Sequence, residues 1–364
     1  MYVYVSLSQS HSDSSKTNTA FINKRGCVPK RHILFFYSYI LNMYCITELT
    51  EKINAEIDQI QYNAEPKNLY TPIRYILSIG GKRIRPVLML MGYNLYQENV
   101  DAIMNNALAL ETYHNFTLLH DDLMDKSDMR RGNPTVHKKW NENTAILSGD
   151  TMLILAYQLF NKGVRNETAW TAFINATLGV CEGQQYDIDF ETRNDVTEAE
   201  YMEMIRLKTS LLLGYALKIG AILGGADKED ADHLYTFGEK MGLAFQLQDD
   251  LLDVYGNPKV FKKKLGGDIV DNKKTFMLIN ALQLANAEQR EELNRWIGMT
   301  NCNADEKIAA ITHIYNIIGI DRLAQQQIEA LFALSLQSLD KVKVADEKKQ
   351  ELRAFANKLL GRKY

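Results

Sequence analysis

Residues 118–137 read LLHDDLMDKSDMRRGNPTVH, placing four aspartates, Asp121, Asp122, Asp125 and Asp128, just ahead of Arg130 and Arg131. The lead-in NFTLLH is apolar and argues for burial. Buried like charges repel, and each is costly to desolvate unless a counter-charge arrives, so a cation must visit this site. At about 100° per residue, a helix through the motif brings Asp121, Asp125 and Asp128 within about 60° of one another and turns Asp122 about 100° away. The pattern recurs as Asp249-Asp250-Leu251-Leu252-Asp253 behind a second apolar lead-in, MGLAFQLQ. The same arithmetic gathers Asp249, Asp253 and Gln246 and sets Asp250 aside. Either motif alone reads equally as a solvated acidic helix end. Their repetition behind apolar segments predicts two acidic helix faces meeting across a cavity.

Ligation by carboxylates alone points to a hard cation, and Mg²⁺ is commonly held by one or two carboxylates together with substrate phosphates and water. The four cysteines, Cys27, Cys45, Cys181 and Cys302, are dispersed and form no C-x-x-C pair, so neither zinc nor a disulfide framework competes. A calcium loop, with its central Gly and terminal Glu, is absent. Cations suited to phosphate lie in GGKRIRP (80–86), in Arg130-Arg131, and in FKKKLGGD with DNKK (261–274). Each alone reads as helix-end charge or a wet loop. Beside two metal-type motifs they read as groups that hold phosphate.

These residues need long helices to position them. The six prolines stand at 29, 66, 72, 86, 134 and 258, which leaves 135–257 and everything after 258 free of helix breakers. Apolar residues recur there at three and four, as in Met204, Leu207, Leu211, Tyr215 and Ile219, without strand-like alternation. The expected architecture is all-α, with breaks at Gly80-Gly81, Gly132-Asn133, Gly224-Gly225, Gly256-Asn257 and Gly266-Gly267. No linker is evident, so residues 43–364 read as one domain. Residues 1–42 read as an extension, Ser-, Thr- and Asn-rich over 8–20, with Met43 the functional start. The apolar ILFFYSYILNMYCI (33–46) follows four basic residues like a signal peptide but lacks a cleavage site. No apolar run approaches the ~18 residues that span a bilayer, which argues against membrane insertion. A net charge of −3 argues against a nucleic-acid partner, and the cysteine usage suits the cytoplasm.

The ordered motifs GGKRIRP, HNFTLLHDDLMDKSDMRRGNPTVH, LSGD, GQQYDIDF, LKTS, FQLQDDLLDVYGN and KKLGGDIVDNKKT resemble those of the trans-isoprenyl diphosphate synthases, the polyprenyl synthetase family. The resemblance covers roughly residues 45–360. It implies about a dozen helices around a deep central cavity, usually in a homodimer. In such enzymes an allylic diphosphate ionises, isopentenyl diphosphate attacks the carbocation, and a proton leaves. The resemblance assigns Asp121, Asp125, Asp249 and Asp253 to Mg²⁺, about three ions bound with the allylic diphosphate. Arg130, Lys208 and Lys264 match positions on that diphosphate, with Lys273 in the same region. Gly81, Lys82, Arg85, His114 and Arg131 match the pocket for isopentenyl diphosphate. Thr209 and Gln246 match polar groups beside the allylic cation.

A terpene cyclase of the same fold would carry N-D-x-x-S-x-x-x-E at its second site and have no use for a second diphosphate pocket. A non-catalytic subunit of a heteromeric synthase would show a degraded aspartate motif, whereas both are intact here. Product length is read from Phe116 and Thr117, five and four residues ahead of the first motif, with Tyr113 a further floor. The resemblance implies a twenty-carbon product, with fifteen carbons the alternative.

Overall fold

The computed structural model describes residues 43–60, 65–257, 265–299 and 301–360. The extension read at 1–42 and the assignment of Lys264 lie outside these residues. The architecture is all-α, as expected. Helix α1 (Ile46–Gln59) buries Leu49, Ile53 and Ile57 on one face, and is followed by α2 (Lys67–Ser78) and α3 (Ile84–Asn94). Next come α4 (Met104–Met124), the short α5 (Val136–Lys139), α6 (Glu142–Lys162) and α7 (Glu167–Thr192). A continuous segment then carries α8 (Glu198–Ile205), a π turn (Arg206–Ser210) and α9 (Leu211–Gly224), ahead of α10 (Lys228–Tyr255). The chain closes with α11 (Gly267–Val270), α12 (Phe276–Leu284), α13 (Ala287–Gly298), α14 (Ala304–Ile318), α15 (Ile320–Asp340) and α16 (Asp346–Leu360).

Glycine marks only some of the helix breaks. Others are set by side chains that accept backbone N–H groups left open at helix starts: Asn141 for α6, Asn166 for α7, Thr197 for α8, Asp227 for α10 and Asn303 for α14. Helices α3 and α9 cross where glycine lets backbone meet backbone. A Cβ on Gly92 would lie 2.5 Å from Leu217 O, and one on Gly220 would collide with Met89 O. One apolar core lies around α3, α4 and α9; the other joins the middle of α10 to α12, α14 and α15 and includes Tyr201 and Leu247.

Two details depart from the sequence reading. Helix α4 stops at Met124, Asp125 caps it, and Lys126 adopts a positive φ of 53°. Asp128 therefore leaves the helix face and pairs with Lys138 at 2.9 Å instead of converging with Asp121. The second concerns Glu198–Gly224, a continuous helical run long and apolar enough by composition to cross a membrane, although 67% of its most apolar window is buried within the fold. The π turn joins two helices into this one run, and Lys208 and Lys218 interrupt its apolar stretch.

A two-residue hairpin pairs Met129–Arg130 with Asn133–Pro134. Its central residues, Arg131 and Gly132, both take positive φ (52° and 76°), the conformation whose twist suits a tight hairpin. Arg130 and Arg131 thereby enter different surroundings.

Gly220→Ala should lower stability by about 1–3 kcal/mol through this forced separation of α3 and α9. Urea denaturation would check it, and an unchanged midpoint would contradict so tight a crossing.

Candidate active site

The first aspartate motif meets lysine. Lys208 Nζ lies 3.2 Å from Asp121 Oδ1 and 2.5 Å from Asp187 Oδ2. Burial opposes the Lys208 charge, but Asp121 and Asp187 outweigh it and hold the ammonium above its ordinary value. Asp125 is pushed up by burial and by the charge of Asp121, while Lys208 and Lys273 pull it back. Asp122, by contrast, is buried and accepts Arg130 Nε at 2.9 Å and Nη2 at 2.5 Å. Arg130 also stands 3.5 Å from Asp121 Oδ2, so the middle aspartate orients this arginine toward the outer one.

Lys208 owes its position to the π turn, in which the Leu211 N–H reaches Arg206 O. Such a turn adds a residue to the helix and is frequent at functional sites. Gly183 of α7 accommodates it, because a Cβ there would collide with the Lys208 backbone nitrogen. Asp187 follows one turn along α7 on the same face. The motif GQQYDIDF leaves Asp187 unassigned by sequence, and its i, i+4 spacing from Gly183 is the signal it carries.

Around the second motif a hydrogen-bonded chain forms. Thr209 Oγ1 donates to Gln246 Oε1 at 3.2 Å, Gln246 Nε2 donates to Asp250 Oδ1 at 3.1 Å, and the Tyr201 hydroxyl donates to Asp250 Oδ2. Tyr201 was not identified from sequence. Burial pushes the Asp250 carboxyl up to about 7, helped by the charges of Asp268 and Asp249 and opposed by the Tyr201 and Gln246 bonds. Asp249 is half-buried on the same helix. Asp253 Oδ2 accepts the Asp268 N–H at 3.0 Å and its carbonyl accepts the Gly266 N–H at 2.7 Å, so this residue braces the entry to α11. Lys273 Nζ lies 3.8 Å from Asp268 Oδ1. Burial works against its charge, yet Asp268, Asp187 and Asp125 together raise it, which sets Lys273 between the two motifs.

A separate cationic group assembles where GGKRIRP meets Arg131. Arg131 Nη1 donates to Gly80 O, and a Cβ on Gly81 would come within 2.8 Å of the guanidinium. Arg85 Nη1 meets His114 Nε2 at 3.0 Å, while Arg85 Nε is buried without a partner. Burial and four neighbouring arginines, Arg85 foremost among them, hold His114 well below its ordinary value, so its neutral ring accepts a hydrogen bond from Arg85. Burial also lowers Arg85 to about 10, with Arg131 adding to the effect against Glu111. Arg83, unassigned from sequence, takes the nearby carboxylate by donating to Glu111 Oε1 at 2.6 Å, and also bonds Leu77 O and Asn54 Oδ1. Among the described residues, Arg85 and Arg131 are thus left beside a neutral His114 with their nearby carboxylate already engaged by Arg83. Lys82 is exposed at the edge of this group.

The residues read as setting product length pack into α4's own surroundings. The Phe116 ring lies 5.5 Å from that of Tyr113 and 4.9 Å from that of His120. The Tyr113 hydroxyl donates to Thr177 O of α7 at 2.7 Å, and Thr117 Oγ1 bonds back to His114 O.

Among the described residues, no three carboxylate, histidine or cysteine groups form a cage for a metal. Asp121 and Asp125 nonetheless have the donor chemistry of a hard cation shared with a phosphate-bearing ligand, since both offer carboxylate oxygens and Asp125 is raised first by burial and then by the charge of Asp121.

Residues 66–317 match the family model described as polyprenyl synthetase. The geranylgeranyl diphosphate synthase of Methanosarcina mazei is 42% identical over 243 residues, spanning 65% of this chain and 75% of that protein. Among solved structures, a geranylgeranyl pyrophosphate synthase superposes with a TM-score of 0.83 at 42% identity, covering 88% of this chain and 100% of that one. The geranylgeranyl pyrophosphate synthase from Corynebacterium glutamicum, complexed with isoprenyl diphosphate and magnesium, gives a TM-score of 0.74 at 28% identity, covering 87% and 98%.

Asp250 generates a pH prediction. Its carboxyl titrates near about 7 in the fold and near about 4 in an unfolded chain, so the stability it contributes is complete below about pH 4 and is lost as pH rises through 7. The unfolding free energy of Asp250→Asn relative to wild type should therefore rise between about pH 4 and 7 and then level off. Parallel curves across that window would contradict a raised carboxyl.

Proposed function

Because the chain belongs to the polyprenyl synthetase family and is a short-chain prenyltransferase, we propose that it joins isopentenyl diphosphate head-to-tail to an allylic diphosphate and releases a twenty-carbon product. The observation that carries this reading is the contrast between two cationic environments. Lys208 and Lys273 stand among Asp121, Asp125, Asp187 and Asp268, where a diphosphate is repelled unless metal accompanies it. Arg85, Arg131 and His114 offer a diphosphate site whose nearest carboxylate, Glu111, is already taken by Arg83. One substrate thus enters with metal and the other without.

Asp121, Asp125 and Asp249 would hold Mg²⁺, with Asp253 bracing the second motif. Bound there, Mg²⁺ supplies neutralisation of the charge that grows on the departing diphosphate. Lys208, Lys273 and Arg130 add fixed positive charge to the same oxygens, preorganised by their carboxylate partners. Thr209 and Gln246, locked in sequence by Asp250, present oxygen dipoles to the allylic cation while water is kept out. The aspartates hold metal and do not accept the proton.

The reading includes a homodimer, supported by the exposed apolar residues Ile146, Leu147 and Ile154 on α6 and Trp170 and Leu178 on α7. It also includes a cytoplasmic location, supported by Cys45, Cys181 and Cys302, which form no disulfide with one another. Residues 43–364 are read as the functional unit, so a chain beginning at Met43 should turn over like the full chain.

Incubation with labelled isopentenyl diphosphate and an allylic primer distinguishes elongation, cyclisation and inactivity. Asp121→Ala should lower turnover by about a hundredfold or more. Near-normal turnover would refute the metal role. Phe116→Ala should lengthen the product, read by chromatography of the dephosphorylated alcohols. An unchanged chain length in a folded variant would move the floor to Tyr113.

A further inference from the structure

Lys307 is only 2% exposed, yet it lies in the first turn of α14, where the open N–H groups disfavour a cation. Neither burial nor helix position favours its charge, so its acceptors must hold it in place. The ammonium donates to Val270 O at 3.1 Å, the last carbonyl of α11, and to Asn272 Oδ1 at 2.7 Å. Asn272 has a positive φ of 54°, and its Nδ2 donates to Ile297 O of α13 at 3.1 Å. The Asn272 amide is thus clamped from both ends while its backbone makes a left-handed turn. The next residue is Lys273, whose N–H reaches back to Asp268 O at 2.9 Å and whose carbonyl accepts the Thr275 N–H at 2.9 Å. Asn272 and Lys273 line one small cavity with Asp250 and Asp268. The side chain of Ile308, next to Lys307, fills the space beside Gly266.

We infer that Lys307 is a positioning residue: by clamping Asn272 it fixes the turn that presents Lys273 between the two aspartate motifs, and so sets affinity for the allylic diphosphate. The inference rests on the reading that Lys273 meets that diphosphate. It assigns Lys307 no contact with either substrate. Because the ammonium holds two oxygens of one turn, its removal frees the turn without opening the pocket around Arg85, Arg131 and His114. The expected signature is therefore a change in one Michaelis constant alone.

Steady-state kinetics of the full chain with both substrates would test this, using Lys307→Met, Asn272→Gly, Lys273→Gln and the double variant Lys307→Met/Lys273→Gln. Methionine keeps the bulk of the lysine stem but leaves Val270 O and Asn272 Oδ1 without their donor, so some loss of stability accompanies it. Glycine at 272 accepts the positive φ and removes only the clamped amide. Lys307→Met and Asn272→Gly should each raise the KM for the allylic primer about tenfold in protein that is still folded at the assay temperature, with the KM for isopentenyl diphosphate nearly unchanged. The double variant should bind primer no worse than Lys273→Gln, because both substitutions act through one side chain. A raised primer KM in Lys273→Gln with none in Lys307→Met or Asn272→Gly would overturn the inference and leave the Lys273 reading intact, as would additive losses. If Lys273→Gln itself binds primer normally, the Lys273 reading falls, and the inference with it. Should Lys307→Met not fold, Asn272→Gly decides the question alone.

Discussion

Repulsion among Asp121, Asp125 and Asp187 is the constraint on which the rest of the site depends. Carboxylates brought together at a partly buried helix end demand positive charge, and Lys208 supplies it by bridging Asp121 and Asp187. That bridge requires Lys208 to leave ordinary helical register, hence the π turn at 206–210, and it requires Gly183 to clear the way. A single electrostatic need thus dictates a backbone irregularity on one helix and a missing side chain on another.

The two D-D-x-x-D motifs divide their labour in the same way. Asp121 meets Lys208 and Asp253 braces the entry to α11, while the middle aspartates are buried and satisfied: Asp122 by Arg130, Asp250 by Tyr201 and Gln246. Each middle carboxylate turns a burial cost into orientation, since the group it holds is itself aimed at the site. Asp122 does this with a charged partner. Asp250 has only neutral ones, which is why burial raises it so far.

Charge separation extends the logic. Arg83 and Glu111 neutralise one another inside the fold, and among the described residues this leaves Arg85 and Arg131, beside the neutral His114, without a paired carboxylate. In the other environment Lys208 and Lys273 are matched by carboxylates. A molecule that must bring two diphosphates together while ionising only one has good reason to keep these environments distinct, because leaving-group stabilisation belongs on a single side.

The sequence by itself determined the helical class and showed the repeated aspartate motif, because each is carried by local spacing: a helix turns through a fixed angle per residue, and proline and glycine act where they stand. It did not determine that α4 ends at Met124, which takes Asp128 to Lys138, since a helix stop depends on what the following turn can bond. Nor did it reveal the roles of Asp187, Arg83, Tyr201 and Lys307, whose partners lie 21, 28, 49 and 35 residues away for the bonds to Lys208, Glu111, Asp250 and Asn272. Those assignments belong to the tertiary structure, because the energy of a buried charge is set by the groups that folding brings beside it and not by its neighbours in the chain.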